Sequence, residues 1–447
     1  MKKSKYNVVF QYENHKVLYN ALYCRSMIID SMLADLLLKT PAVIESVHPQ
    51  FYNALIEGNF IVDENLDEVN AVENLRLENL SDKTQFHLTI NPTLDCNFHC
   101  WYCYESKVKG SEMSKDLIQA TISYIEKVLA TNPTLKRFHL YFFGGEPLLK
   151  FDDVMRPILD AFIEKTSEKE IFRTLQITTN GALLNDHVIQ YIKELGLFTA
   201  FQITFDGYED NHNKSRRSKE HPQSYRLLIN TVKKLISLGL YVTLRVNYKH
   251  SNVDDLMKIL CEFTECPTED RSRIIYTPVR IWQDTPRTVT RKACENKVRN
   301  VEDEVIIARS NTTIEYAKSL GMQVMPINSI DSVRNPCKHS YVNAASINYN
   351  GDVYKCCARA FDENNREGTL CTNGDIIWRE DTNKRILRRR TEVNPPCKDC
   401  IIFPICGGGC VQSFKDFEGT EYCLYQFDES SKIEAVKKFV ELTQMQI

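Results

Sequence analysis

The chain has 447 residues, 43% of them apolar, enough to bury large cores in two to four domains. Lys plus Arg number 56 against 59 Asp plus Glu, a net charge of −3, so no basic field marks it for nucleic acid. The opening MKKSKYNVVFQYENHK has no apolar secretory core and no run approaches a membrane span, so a cytoplasmic protein with no membrane partner is expected.

Residues 1–80 read as a unit of their own. YNVVFQY and KVLYNAL make two strands around the turn ENHK, 27–38 reads as a helix, PQFYNALIEG as a second helix ending at Gly58, and FIV as a strand. Hairpin strands with small helices suggest a winged-helix-like module. Residues 63–85 are charged and read as a linker.

From 86 to 327 apolar strands alternate with amphipathic helices. Strands are expected at 86–92, 138–144, 174–180, 201–207, 241–248 and 273–282. Leu117, Ile118, Ile122, Ile125 and Leu129 mark one helix face, with Ser114 as N-cap. NDHVIQYIKELG and SYRLLINTVKKLISLG repeat the pattern, each closing on Gly. Six such units imply a parallel sheet curled into a partial barrel, open on one side, with its chemistry at the strands' C-terminal ends.

From 330 to 447 short strands, turns and cysteines take over, as in a domain held by metal, and 424–447 reads as a closing helix. KRILRRR (384–390) reads as a solvated surface.

The 16 cysteines suit metal better than disulfides in a large chain without an export signal. Three sit at 96–103 and eight, leaving aside Cys371, between 337 and 423. Cys24, Cys261, Cys266, Cys294 and Cys371 are scattered, and Cys261 reads as a small buried hydrophobe. Cys96, Cys100 and Cys103 fall just past the first barrel strand. Three thiolates can hold three irons of a [4Fe–4S] cube and leave the fourth open. A zinc knuckle is the other reading, with His99 as an available fourth ligand.

C-x3-C-x2-C with an aromatic before the last Cys, after the first strand of a βα barrel, resembles the radical S-adenosylmethionine (AdoMet) enzymes. The resemblance implies a [4Fe–4S] cluster at Cys96, Cys100 and Cys103 whose open iron is chelated by AdoMet, and a 5′-deoxyadenosyl radical as reagent. It places Tyr102 against the adenine. GGEP, with Gly144, Gly145 and Glu146, looks like the motif for the AdoMet amino group. Its glycines would let the backbone come close to the ligand, and Glu146 and nearby carbonyls would accept from the ammonium. Asn180 of TTNG is matched to a ribose hydroxyl. Thr204 and Arg216 stand where related sulfatase maturases hold the AdoMet carboxylate, with Arg245 a second candidate.

The tail reads Cys337, thirteen residues, Gly351, four residues, Cys356, then Cys397, Cys400, Cys406 and Cys410 with gaps of two, five and three, then Cys423. This resembles the SPASM domain with all seven cysteines. By resemblance two auxiliary [4Fe–4S] clusters are implied, one on Cys397, Cys400, Cys406 and Cys423, the other on Cys337, Cys356 and Cys410. The missing fourth ligand is a substrate thiolate, or Cys357 or another residue. A zinc-ribbon pair is the bland alternative. The fold expected is thus α/β: a partial (β/α)6 barrel, an N-terminal winged-helix-like module and a C-terminal cysteine-rich iron–sulfur domain.

SPASM enzymes mostly modify peptides and proteins. The 80 residues ahead of the barrel resemble the leader-binding wing of maturases of ribosomally made peptides; a scaffold or oligomerisation module is the alternative. Sulfatase maturases carry Asp after the second SPASM cysteine, and here Cys357 stands there, as base, hydrogen-atom donor or buried bystander. The expectation is a peptide maturase that installs a thioether crosslink in a precursor peptide, reduced by a carrier such as flavodoxin or ferredoxin. A carbon–carbon crosslinker, an epimerase, a sulfatase maturase making formylglycine, and a zinc-bound peptide scaffold are the rivals.

Overall fold

The computed structural model describes residues 1–39, 41–105, 107–281, 301–324, 331–411 and 413–443. Trp282 and Cys294 lie outside them. The strands in chain order are β1 (Lys2–Lys3), β2 (Asn7–Tyr12), β3 (His15–Asn20), β4 (Arg25–Ile29), β5 (Ile61–Val62), β6 (Gln85–Ile90), β7 (His99–Cys100), β8 (Arg137–Phe142) and β9 (Phe172–Thr179). They continue as β10 (Phe198–Phe205), β11 (Arg216–Arg217), β12 (Tyr241–Tyr248), β13 (Ile274–Arg280), β14 (Gln323–Val324), β15 (Ala344–Ile347), β16 (Asp352–Tyr354), β17 (Gly368–Leu370) and β18 (Ile376–Trp378).

The six expected barrel strands are β6, β8, β9, β10, β12 and β13, parallel and in sequence order. The sheet is larger than six strands. β14 extends one edge in parallel, and β15 joins β6 in parallel at the other. Antiparallel β16, β17 and β18 then carry it outward, giving an eleven-stranded mixed sheet whose end strands do not pair. The cysteine-rich region is therefore built partly as a continuation of the barrel sheet. The intervening helices fit their sequence signals. Ser114 accepts from the Leu117 amide at 3.3 Å to start Lys115–Thr131, where Ile118, Ile125 and Leu129 are buried. Asn185 caps Asp186–Glu194. Their apolar faces cover one side of the sheet in a single large core.

That side of the strands is apolar. The other carries Gln85, His87, Thr89, His139, Tyr141, Thr174, Gln176, Thr204, Arg245 and Asn247, an alternation that makes it a polar concave face.

The N-terminal module departs from its reading in two places. Within 27–38, residues 25–29 form β4, third strand of the antiparallel sheet β2-β3-β4. The helix begins only at Ser31, where Asp30 accepts from the Leu33 amide at 2.7 Å. A short apolar run such as Met27-Ile28-Ile29 does not distinguish strand from helix by period. The stretch read as a linker holds the helix Glu68–Leu80, capped by Asp67. Its charges hid it, because Glu68, Glu73 and Arg76 are buried. Glu73 pairs with Arg76 at 3.2 Å and accepts from the Thr391 amide at 2.9 Å, while Arg76 donates to the Arg388 carbonyl.

The module has its own small core, Leu18, Ile29, Leu55 and Phe60 among its members. It also shares a second one: Tyr6, Val8 and Tyr19 pack with Ile402, Phe403, Ile405 and Val436, against which Cys397, Cys400 and Cys406 lie. The basic stretch 384–390 is not simply solvated, since Ile386 and Arg390 are buried. Cys261, expected inside, is exposed on the last turn of Asp255–Cys261. The closing helix is Glu429–Thr443. Among the described residues no helix is long and apolar enough to cross a membrane.

Candidate functional site

The cysteine loop leaves β6 and is held at both ends. The Thr93 hydroxyl donates to the Ser111 carbonyl at 2.6 Å, and the Asp95 carboxylate accepts from the amides of Cys96 at 2.8 Å and Gly110 at 2.7 Å. Within the loop the Phe98 amide reaches the Cys96 sulfur at 3.4 Å. β7, carrying Cys100, pairs with β11, carrying Arg216. A short ribbon thus joins the loop to the end of β10.

GGEP binds this loop. The Glu146 amide donates to the Asp95 carbonyl at 2.8 Å, and a Cβ on Gly145 would lie 2.1 Å from that same oxygen. Gly144, at φ 108°, would put a Cβ 2.4 Å from the Thr93 carbonyl. A side chain at either glycine would collide with backbone of the cysteine loop, so the protein's own packing requires glycine at both positions. Glu146 is fully buried. Its carboxylate accepts from the Thr179 hydroxyl at 2.7 Å and the amides of Asn180 at 2.7 Å and Leu148 at 3.1 Å. Burial pushes its pKa up to about 7 against these donors. Asn180 in turn donates to Asn97 of the cysteine loop at 2.7 Å and accepts from the Ala182 amide. Glu146 and Asn180 thus tie two strand ends to the loop, work for which neither residue was singled out.

The opposite wall is a polar network. The Tyr102 hydroxyl donates to Asp206 at 2.9 Å and accepts from Arg216 at 2.9 Å and Asn247 at 3.1 Å. Asn247 also donates to Asp206 at 2.9 Å, and Arg245 donates to Asn247 at 3.1 Å. Thr204 lies beside Arg245 in the β10–β12 register. Asp206 and Asn247 were missed from sequence. The position of Asp206 at a strand's C-terminal end was the available signal. Burial raises the Asp206 carboxyl. The Arg216 Nε and Asp206 Oδ2 are buried without a hydrogen-bond partner among the described residues.

The C-terminal cysteines gather in the sets that the SPASM resemblance implies. Cys397, Cys400, Cys406 and Cys423 line one cavity of about 360 Å³ with Phe403 and Tyr422. Burial foremost, then the neighbouring thiols, push Cys397 up to about 12 and raise Cys406, and burial raises Cys400. Cys337, Cys356 and Cys410 form a second group, in which Cys356 is raised to about 12 by burial, Cys357 and the two others. In the first loop, burial foremost holds Cys96 up at about 11, with Cys100 also contributing. No disulfide joins any described cysteine.

These donor sets fit iron–sulfur groups. Four thiols ring a cavity, and among the described residues no three His, Cys, Asp or Glu side chains converge on one ion-sized point. Thiols held protonated by burial and crowding need a cationic centre to stay ionised. On the first loop the orphaned Arg216 Nε suits a carboxylate.

The second cysteine group faces the concave side of the sheet. Lys338 Nζ lies 3.6 Å from the Tyr141 ring centre, and Tyr341 stacks on His87, which stacks on His139 at 4.5 Å. His339 Nε2 is 3.0 Å from Cys357 Sγ. Cys357 is thus neither solitary nor idle in packing, and burial pushes it up to about 12. Glu105, also unforeseen, has both carboxylate oxygens buried and unpartnered among the described residues, and burial raises it to about 8.

An open parallel α/β sheet with a cysteine loop at one strand end and a buried Arg–Asp–Tyr network opposite defines a radical AdoMet fold. Residues 90–260 match the model of the Radical SAM superfamily, and the chain is a radical SAM enzyme, of a superfamily that uses a [4Fe–4S] cluster and AdoMet. It is 22% identical over 334 residues, 71% of this chain and 85% of the relative, to the cysteine-type anaerobic sulfatase-maturating enzyme of Clostridium novyi. Further curated relatives are matched over 36–52% of their own length. Among solved structures it resembles anSMEcpe with bound AdoMet and a Kp18Cys peptide, at 15% identity and a TM-score of 0.56 over 80% of this chain and 96% of that one. Streptococcus suis SuiB bound to the precursor peptide SuiA matches at 15% identity and a TM-score of 0.51, over 94% of this chain and 98% of that one.

Proposed function

We propose that the chain is a radical SAM maturase that installs a thioether crosslink in a ribosomally made precursor peptide. One observation carries the reading: the two cysteine regions meet across the concave face. Tyr104, next to Cys103, donates to the carbonyl of Cys357, next to Cys356, at 3.2 Å. A substrate on that face would touch both. The fold's likeness to SuiB over 94% of this chain, against 80% for the sulfatase-maturase structure, supports a role for residues 1–80 in receiving the leader, by strand addition at an exposed edge.

Cys96, Cys100 and Cys103 would hold a cluster that, with AdoMet, would supply a 5′-deoxyadenosyl radical to take a hydrogen atom from a peptide carbon. The chain's residues would orient and shield. Arg216, whose Nε has no hydrogen-bond partner among the described residues, and Thr204 would hold the AdoMet carboxylate, assisted by Arg245 from the next strand. Tyr102 would meet the adenine, Asn180 the ribose, and the backbone of Gly144 and Gly145 the ammonium. Glu146 holds the loop that carries these groups. Forming the C–S bond removes two hydrogens: one atom goes to the radical, and the other leaves as a proton and an electron. The His339 ring, beside the Cys357 thiol, would take the proton. The cysteine sets Cys337, Cys356, Cys410 and Cys397, Cys400, Cys406, Cys423 are suited to hold auxiliary clusters that accept the electron.

Anaerobic incubation with a cysteine-bearing peptide encoded beside this chain tests the proposal. It requires a product lighter by two hydrogens with one fewer free thiol. The same mass with thiols intact means a carbon–carbon link, and unchanged mass means epimerisation. The relation to the Clostridium novyi enzyme favours a second reading, formylglycine formation; a sulfatase peptide modified in preference would replace the first.

A further inference from the structure

We propose that the outer face of the cysteine loop, centred on Trp101, docks an acidic one-electron carrier protein. The inference rests on the assignment of a cluster to Cys96, Cys100 and Cys103. Trp101 stands between two of these cysteines and is 52% exposed. Its neighbour Tyr102 points into the Asp206 network, whereas the indole meets the edge of Tyr102 and lies 5.8 Å from the Lys249 ammonium. Tryptophan is costly to leave in water and is enriched where proteins bind one another.

The charge around it has one sign. Lys107 is exposed and donates to the Phe98 carbonyl of the same loop. Arg217, exposed, pairs with His99 across the β7–β11 ribbon. Among the described residues, no ion pair engages Lys107, Arg217 or Lys249. The loop's own acids turn inward: Asp95 is bonded to the Cys96 and Gly110 amides and the Glu105 oxygens are buried. In a chain of net charge −3 this local cationic ring is not a by-product of composition. A carrier must bring its redox centre close to the cluster, and this loop carries the three cysteines assigned to it, Cys103 among them exposed. A negative rim around a flat contact would complement the ring and speed encounter.

The step is a single electron transfer. A flavodoxin hydroquinone anion becomes the neutral semiquinone, the cluster gains one electron, and no proton or bond changes hands. Stopped-flow reduction of the reconstituted full-length enzyme by reduced flavodoxin, followed by cluster absorbance and EPR, tests the idea, with dithionite as the small reductant. The double variant Arg217→Glu/Lys249→Glu should react with flavodoxin at least about tenfold more slowly at low salt, and Trp101→Ala several-fold more slowly. The wild-type rate should fall with added NaCl, while dithionite reduces all forms alike. If flavodoxin reduces wild type and variants equally, the docking surface is refuted. A substrate-peptide KM that changes in place of the flavodoxin rate would refute it too, and assign the face to the peptide. If dithionite raises no cluster signal in wild type, the cluster assignment itself fails, and the surface with it.

Discussion

The hydroxyl of Tyr104 donates to the carbonyl of Cys357 across 3.2 Å, joining two loops 253 residues apart in sequence. One loop carries Cys96, Cys100 and Cys103, the other the Cys356–Cys357 pair at the edge of the second group. Tyr104→Phe keeps the ring and loses the bond, whose net worth is about 1 kcal/mol. Stability should change little. Peptide product per 5′-deoxyadenosine formed should fall several-fold, because AdoMet cleavage continues while the substrate is held less well. Equal coupling in the variant would remove this contact from the account.

Gly145→Ala should damage the cysteine loop directly. The new Cβ would meet the Asp95 carbonyl at 2.1 Å and the Leu94 carbonyl carbon at 2.7 Å, both backbone atoms. Overpacking of this kind costs about 1–3 kcal/mol. The melting temperature should drop, and iron bound after reconstitution should fall. Gly110→Ala, in the same loop with nothing within 4 Å, should lose only the left-handed backbone preference, about 1 kcal/mol.

The Glu73–Arg76 pair anchors the helix Glu68–Leu80 to residues 388–391. Glu73→Ala leaves a buried guanidinium unpaired, which costs about 3–5 kcal/mol. Denaturant unfolding should register most of that loss. Glu73→Leu/Arg76→Met should recover much of it, since an apolar pair of similar size fills the same space.

Glu146 makes the apoprotein's stability depend on pH. Its folded pKa of about 7 lies above the ordinary 4.5, so the folded state binds the proton more tightly than the unfolded one. The contribution is present below about pH 4.5 and is lost as pH rises through about 7. Thermal unfolding between pH 5 and 8 should show stability declining from this group. Glu146→Gln should flatten that decline and lower stability at every pH, because its amide faces the Asn180 N–H.

Three cysteine sets imply about twelve irons per chain when each holds a four-iron cluster. Cys406→Ala should bring reconstituted iron down to about eight while leaving 5′-deoxyadenosine formation measurable. Iron unchanged in that variant would dissociate the 360 Å³ cavity from cluster binding.

Much of this was legible in the chain. The six parallel strands follow from apolar runs separated by capped amphipathic helices, and the resemblance to the SPASM domain implied the set Cys397, Cys400, Cys406 and Cys423, which lines one cavity. What stayed hidden was long-range. The helix at 68–80 buries charge against partners more than 300 residues away, so its sequence looks solvated. β15 completes the sheet beside β6 from beyond the barrel, and nothing local in Ala344–Ile347 announces a parallel partner. Asp206, Asn247 and His339 belong to no spacing pattern; only the fold brings them to Tyr102 and Cys357. The bonds of Glu146 to Thr179 and Asn180, and the close approach of Gly144 and Gly145 to the cysteine loop, became visible only in the fold.

The most direct test is AdoMet cleavage by the purified chain, reconstituted anaerobically with iron and sulfide and reduced with dithionite. Wild type should release 5′-deoxyadenosine and Cys100→Ala should release none, with both proteins folded by circular dichroism. No product from wild type, or equal product from both, would contradict the placement of the radical chemistry on Cys96, Cys100 and Cys103.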